Sequence, residues 1–198
     1  MNTLFDNMHA AALERLTGRS PEQICRAGNV TFERGAFHFE SLGRQIAVRY
    51  PEYGICPELD PWHILTILHY LAAADGTPLS GRPISFSDHR DGLARGHNFD
   101  RDAERQIQHL GALSAAELKL RCRDMGAQLR PSNADFCAEF HFMPNYPVWL
   151  KLWFADDEFP ASGRLLLDAS AEHYLSMEDA VTVGTLILNR LLAEGRAL

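Results

Sequence analysis

Strict alternation of apolar and polar residues occurs twice in this chain, and each time it doubles back across a short break. Ala36-Phe37-His38-Phe39-Glu40 returns through Ser41-Leu42-Gly43-Arg44 to Gln45-Ile46-Ala47-Val48-Arg49-Tyr50, and Phe136 to Phe142 returns through Pro144-Asn145-Tyr146-Pro147 to Val148 through Phe154. A period of two places successive side chains on opposite faces of a strand, so both stretches predict β-hairpins with one buried and one open face. A lone hairpin is marginal in water. The buried faces therefore need helices to cover them, and the rest of the chain has to supply these.

Helical spacing provides the cover. Leu4, Met8, Ala11, Ala12 and Arg15 form one stripe of an opening helix ending near Gly18. Ser20-Pro21-Glu22-Gln23 is a capping sequence, with Gly28 as the stop. Asp60-Pro61 opens a helix through Trp62, Ile64, Leu65, Leu68 and Leu71 that is apolar nearly all round, with Gly76 placed for a left-handed cap. Further helices are expected over about 100–110 and from Ser114 to Gly126, with a short strand at Arg164 to Leu167. Ser176-Met177-Glu178-Asp179 caps a last helix whose stripe includes Val181, Gly184, Ile187, Leu188 and Leu191. Residues 80 to 99 lack any period and read as irregular, with a short edge strand around Ile84 to Phe86. The expected fold class is α+β: antiparallel hairpins packed on helices, in one globular domain 1–198. Its lobes would be 1–80 and 131–198, joined by the excursion 81–130. Phe37-His38-Phe39 recurs as Phe140-His141-Phe142, and each hairpin leads to an apolar helix, so two β-β-α units are one reading of the pattern.

Composition limits the partners. With 19 basic and 26 acidic side chains the charge is −7, the wrong sign for a broad phosphate-binding face, so no nucleic-acid partner is expected. The longest apolar stretches, Ile64 to Ala74 and Val181 to Leu192, fall short of the roughly 20 residues that span a bilayer, so no membrane partner is expected either. Asp6 and Glu14 in the first sixteen residues do not suit a secretory signal, and a cytoplasmic location is expected. Cys25, Cys56, Cys122 and Cys137 contain no C-x-x-C pair, which speaks for reduced thiols rather than a zinc or iron–sulfur site.

Common catalytic motifs are missing: no nucleophile elbow, phosphate-binding loop, dinucleotide fingerprint or H-E-x-x-H occurs. Asp156-Asp157-Glu158 reads as a solvated turn, because neighbouring residues in an extended loop point different ways. His89 and His97 with Asp88 and Asp91 match no standard metal spacing. His63 with Tyr70, and Trp62 with His69, share faces of the central helix, where a hydrogen-bonded buried histidine is the ordinary outcome.

Two segments carry a resemblance. Leu68-His69-Tyr70-Leu71-Ala72-Ala73-Ala74-Asp75-Gly76-Thr77-Pro78-Leu79 and Leu150-Lys151-Leu152-Trp153-Phe154-Ala155-Asp156-Asp157-Glu158-Phe159-Pro160 resemble the signature stretches of an uncharacterised domain family of anaerobic bacteria, and Leu166-Leu167-Asp168 extends the second. The resemblance runs from about residue 40 onward and implies no established activity. Some relatives carry a cysteine-rich segment similar to the iron–sulfur part of corrinoid proteins. That implies a link to corrinoid or one-carbon chemistry, although this sequence lacks the segment.

The candidate site comes from alternation. If Phe37, Phe39, Ile46, Val48, Tyr50, Phe140, Phe142, Val148, Leu150, Leu152 and Phe154 face the core, then His38, Arg49, His141, Trp149, Lys151 and Trp153 face away from it. Two indoles on a nominally wet sheet face imply either a covering layer, for which 80–130 is the available segment, or a ligand surface. Three functions follow from a ligand or contact surface. The first is a binding protein for a planar or anionic small molecule, a tetrapyrrole or corrinoid among them. The others are an enzyme pairing a histidine with a carboxylate, and an interaction subunit, including a homo-oligomer, that buries the indoles. No cofactor follows from the residues.

Overall fold

The structure, a computed structural model, describes residues 3–193. Helix α1 (Thr3–Leu16) leads into α2 (Pro21–Gly28), which starts as the spacing predicts: Ser20 Oγ accepts from Gln23 N at 3.3 Å and Gln23 Oε1 accepts from Ser20 N at 2.9 Å. Its stop differs from expectation. Asn29, at φ +53°, takes the left-handed position, whereas Gly28 is still helical and lets the Tyr70 ring come close, 3.4 Å from where its Cβ would stand.

Strands β1 (Thr31–Glu33), β2 (Ala36–Ser41), β3 (Arg44–Arg49) and β4 (Ile55–Cys56) form an antiparallel sheet in chain order. Both tight turns, Arg34-Gly35 and Leu42-Gly43, have two residues at positive φ, the form that matches strand twist. Alternation buries Phe37, Phe39, Ile46 and Val48. Tyr50 lies past the end of β3 and stays partly exposed, edge-on to Phe37.

Helix α3 (Pro61–Ala73) is capped by Asp60 and buried on most sides. It ends before Gly76. The Arg19 guanidinium satisfies its last carbonyls, reaching Leu71 O at 2.8 Å, Ala72 O at 2.7 Å and Ala74 O at 3.2 Å.

The excursion is more ordered than its composition suggests. It holds β5 (Pro83–Ile84), a 3-10 turn (Phe86–Asp88), α4 (Arg95–Leu110), α5 (Ala115–Asp124) and β6 (Gln128–Leu129). Strands β7 (Phe136–Met143), β8 (Tyr146–Trp153) and β9 (Ser162–Asp168) follow, then a 3-10 turn (Ala171–His173) and α6 (Met177–Leu192). The second sheet is antiparallel with order β5-β9-β8-β7-β6. Its tight turn is Pro144-Asn145 alone, since Tyr146 and Pro147 already belong to β8.

Helix α4 covers one face of this sheet along β9, where a Cβ on Gly163 would stand 2.5 Å from Ile107 Cγ2, and α6 packs on α4, where a Cβ on Gly184 would stand 2.4 Å from the Phe99 ring. The expected fold class is thus observed, with the second hairpin extended to three long strands before its helix. One apolar cluster takes in residues of both sheets. The tip of the first hairpin meets the second sheet, where Leu42 N donates to His141 O at 2.9 Å. Gly43 and Gly126 touch there so closely that a Cβ on Gly43 would lie 2.6 Å from Gly126 N.

No helix among the described residues is long and apolar enough to cross a membrane. The four cysteines are free; Cys56 is exposed, whereas Cys122 and Cys137 are buried and burial pushes the Cys122 thiol up to about 12. In the native protein Cys56 should therefore react first with a thiol reagent, with Cys122 and Cys137 reacting only on unfolding. Peptide mapping after a brief alkylation checks this, and early labelling of Cys122 would show that the core around α5 is open.

Candidate functional site

Antiparallel register lays out the uncovered face of the second sheet. Cys137 stands opposite Lys151 and Lys151 opposite Arg164, so these form one row. The next row is Gln128, Glu139, Trp149 and Leu166, with His141 beyond it opposite Pro147, and Trp153 opposite Ser162 closes the other end. Trp149, Lys151, Trp153 and His141 are half-buried and Arg164 is exposed. Helix α4 of the excursion packs on the opposite face, with Ile107 over Gly163, and reaches this one through Glu104 beside Arg164. The stretch between β6 and β7 reaches Trp153 through Asn133.

Four hydrogen bonds converge on Glu139. Arg130 grips it with Nε and Nη2, both at 2.9 Å, Trp149 Nε1 donates at 2.9 Å, and His141 Nε2 lies 2.9 Å from Oε1. Burial alone would raise the Glu139 carboxyl, but the bonds from Arg130, Trp149 and His141 outweigh it and hold it at about 2. Glu139 is thus a permanent anion whose lone pairs are in use, and it works as an anchor that fixes the Trp149 ring. Trp153 is anchored likewise, its Nε1 donating to Asn133 O at 3.2 Å, and Lys151 Nζ reaches Asn133 Oδ1 at 3.1 Å. With their N–H groups tied inward, both indoles keep their planes for other contacts.

Lys151 and Arg164 are like charges directly opposite each other across β8 and β9, an arrangement that destabilises a sheet. Neither has an ion-pair partner among the described residues. They flank a cavity of about 250 Å³ whose other walls are Trp153, Asn133, Ser162, Leu166 and Glu104.

His141, Trp149, Lys151 and Trp153 therefore share one face. His38 and Arg49 share the outer face of the first sheet: His38 is opposite Ala47, with Nε2 3.3 Å from Glu33 O, and Arg49 is opposite Ala36. No hydrogen bond or ion pair among the described residues ties either to the other four. Sequence reasoning passed over Glu139, Arg130, Arg164 and Asn133. Glu139 carried a readable signal, being two residues from His141 on an alternating strand.

Other sequence candidates have local explanations. Asp156 Oδ1 accepts from Glu158 N at 2.9 Å and Phe159 N at 2.7 Å, so the acidic loop is a turn built around its first carboxylate. His63 is buried and bonded to Ser41 Oγ at 2.7 Å, while burial lowers its pKa to about 4. His89 is buried and His97 exposed, and no group of three His, Cys, Asp or Glu among the described residues is arranged to hold a metal ion. His69 Nδ1 lies 2.7 Å from Asp179 Oδ1. Asp179 borders a largely apolar cavity of about 420 Å³ between α3 and α6, but His69 itself is not part of its wall.

The second signature segment runs along β8, whereas the first ends in a loop held by a carboxylate. Asp168 accepts from Ser80 N (2.9 Å), Ser80 Oγ (2.9 Å), Gly81 N (2.8 Å), Ser170 N (2.9 Å) and Ser170 Oγ (2.7 Å).

Among known proteins, residues 20–190 match the model of a family described as Domain of unknown function (DUF3786). No curated protein and no solved structure matches.

Proposed function

We propose that this chain, which belongs to the DUF3786 family of domains of unknown function, binds a planar, anionic small molecule on the uncovered face of its five-stranded sheet. The observation that carries this reading is the unpaired Lys151–Arg164 couple beside two anchored, half-open indoles. Two cations side by side raise the energy of the empty sheet and lower it when an anion sits between them. The indoles add a stacking surface at little entropic cost, since their rotamers are already fixed. Trp149, Lys151 and Trp153 are the contact residues in this proposal and His141 the edge group, with His38 and Arg49 reserved for a ligand broad enough to reach the first sheet.

A tetrapyrrole or corrinoid is the large end of the ligand class. The cavity beside Trp153 is smaller than the roughly 300–1,000 Å³ of sites that enclose a drug-sized ligand, so a macrocycle would lie across the face with only an edge inserted. An acid–base role at His141 has less support, because His141 lines neither of the cavities described above, where a substrate would have to sit.

Tryptophan fluorescence tests the proposal, with haemin, cobalamin and indole-3-acetate as probes, beside the absorbance and mass spectrum of protein purified without oxygen. Binding of at least one probe should weaken about tenfold in Trp153→Ala and in Lys151→Gln, with the thermal midpoint little changed. Equal quenching of wild type and both variants would remove the face from consideration. A stable dimer that shields both indoles would replace ligand binding with self-association.

A further inference from the structure

The cavity beside Trp153 has a neighbour at the sheet edge. Arg164 and Glu104 line it and also line a second cavity of about 360 Å³, bounded by Ser85, Ser87, His97, Asp100, Arg101 and Leu165. The opening has a topological cause. Strand β5 pairs with β9 only at Leu167 and Asp168, which leaves the edge of β9 from Ser162 to Leu165 without a neighbouring strand. Helix α4 runs beside that edge, with Ile107 seated over Gly163 and with His97, Arg101 and Glu104 at spacings of four and three residues, on one stripe.

Most of the second cavity's polar groups are already committed. Asp100 accepts from Phe86 N at 3.2 Å and Ser87 N at 2.9 Å, and Ser85 Oγ donates to Asp88 Oδ2 at 2.6 Å. Arg101 has only loose surface partners, Asn98 Oδ1 at 3.4 Å and Asp102 Oδ1 at 3.9 Å. Glu104, in turn, makes no hydrogen bond or ion pair among the described residues. In a chain of net charge −7, Lys151, Arg164 and Arg101 thus gather along these two cavities against two carboxylates, Glu104 and the hydrogen-bonded Asp100. Three cations against two carboxylates leave one positive charge, and with Asp100 bonded to the Phe86 and Ser87 N–H groups the Arg164 and Arg101 guanidinium groups offer an attractive field to a phosphomonoester, which carries about −1.5 to −2 at neutral pH.

We infer that the two cavities form one ligand cleft and that its ligand is a nucleoside monophosphate. This rests on the reading of the sheet face as a small-molecule site and narrows it. The heterocycle stacks on Trp153 beside Lys151, Glu104 accepts hydrogen bonds from the sugar hydroxyls, and the phosphate lies between Arg164 and Arg101, whose planar guanidinium groups suit its oxygens. His97 stands at the outer end.

The test titrates wild-type protein with the four ribonucleoside monophosphates, the four nucleosides, inorganic phosphate and a single-stranded oligonucleotide, followed by tryptophan fluorescence and calorimetry. At least one monophosphate should bind about tenfold or more tighter than its nucleoside and than phosphate. Arg101→Gln, a change at an exposed position, should remove that advantage while leaving quenching by indole-3-acetate unchanged. A monophosphate that binds no better than its nucleoside, an Arg101→Gln variant that keeps the full advantage, or an oligonucleotide that outcompetes every mononucleotide would overturn the inference. Such a result with indole-3-acetate still bound through Trp153 would leave the broader reading of the face standing. Loss of every Trp153-dependent signal would overturn both.

Discussion

Replacing Asp168 by alanine should cost roughly 3 to 5 kcal/mol and lower the thermal midpoint by roughly 10 °C, the scale seen when one partner is deleted from a buried charged network. The carboxylate is 2% exposed and accepts five hydrogen bonds from Ser80, Gly81 and Ser170. Removing it strands three backbone N–H groups, which, unlike the serine hydroxyls, cannot turn away to find another acceptor. A pH dependence follows with a definite sign. Burial alone would raise the Asp168 pKa, but the bonds from Ser170 and Ser80 outweigh it and leave it below the usual carboxylate value. A depressed folded-state pKa contributes stability above the unfolded pKa, roughly 3.9, and loses it as pH falls through the folded value. Asp168→Asn should therefore be less stable than wild type at pH 7, with the gap narrowing below about pH 4. Thermal melts of both proteins from pH 7 to pH 3 measure this, and a pH-independent gap would mean that the site does not depend on ionisation.

Gly184→Leu should destabilise the protein by about 3 kcal/mol or more, at or beyond the upper end of ordinary overpacking. Even a single added carbon is excluded. A Cβ here would lie 2.4 Å and 2.8 Å from atoms of the Phe99 ring and 3.2 Å from Phe86 Cζ. The two phenylalanine rings pack against each other at a tilt of 49° with centroids 4.4 Å apart, so Phe99 cannot retreat without disturbing Phe86. Gly184→Ala should consequently be destabilising as well, despite a helix-propensity gain of up to about 1 kcal/mol at an unconstrained site. Chemical denaturation of both variants separates the cases: an alanine variant as stable as wild type would mean that α4 shifts freely on α6.

Elements set by local chemistry were legible in the sequence. The capping box at Ser20, the Asp60-Pro61 helix start, the alternation of both hairpins and the stripe containing Gly184 all lie within a few residues of the feature that determines them. Features set by distant partners were not. Gly76 has the left-handed backbone its position suggests, but α3 ends earlier because Arg19, far back in the chain, takes the helix's carbonyls. Strand β6 spans two residues, too short to show a period, and exists only because β7 pairs with it, whereas the short edge strand expected around Ile84 to Phe86 is present as β5. The same division runs through the candidate site. Parity within β8 placed Trp149, Lys151 and Trp153 together, whereas the Lys151–Arg164 couple depends on the register between β8 and β9, which no single strand encodes. Alternation could also not tell that the two hairpins belong to separate sheets, which is why His38 and Arg49 stand apart from the rest.

The hydrogen bond from Leu42 N to His141 O gives the first hairpin a protective role. Strand β6 and the following Arg130 shield β7 from Cys137 to Glu139, so the stretch toward Met143 would otherwise present free backbone groups on an apolar strand to any passing chain. Such an edge is a template for intermolecular pairing. The tip of the hairpin stops it, with the fully buried Leu42 side chain and the Gly43–Gly126 contact holding the stopper in place. Because stopper and edge come from opposite halves of the chain, any event that loosens the first half uncovers an aggregation-prone strand in the second. The solubility of the later strands thus depends on the folding of the earlier ones.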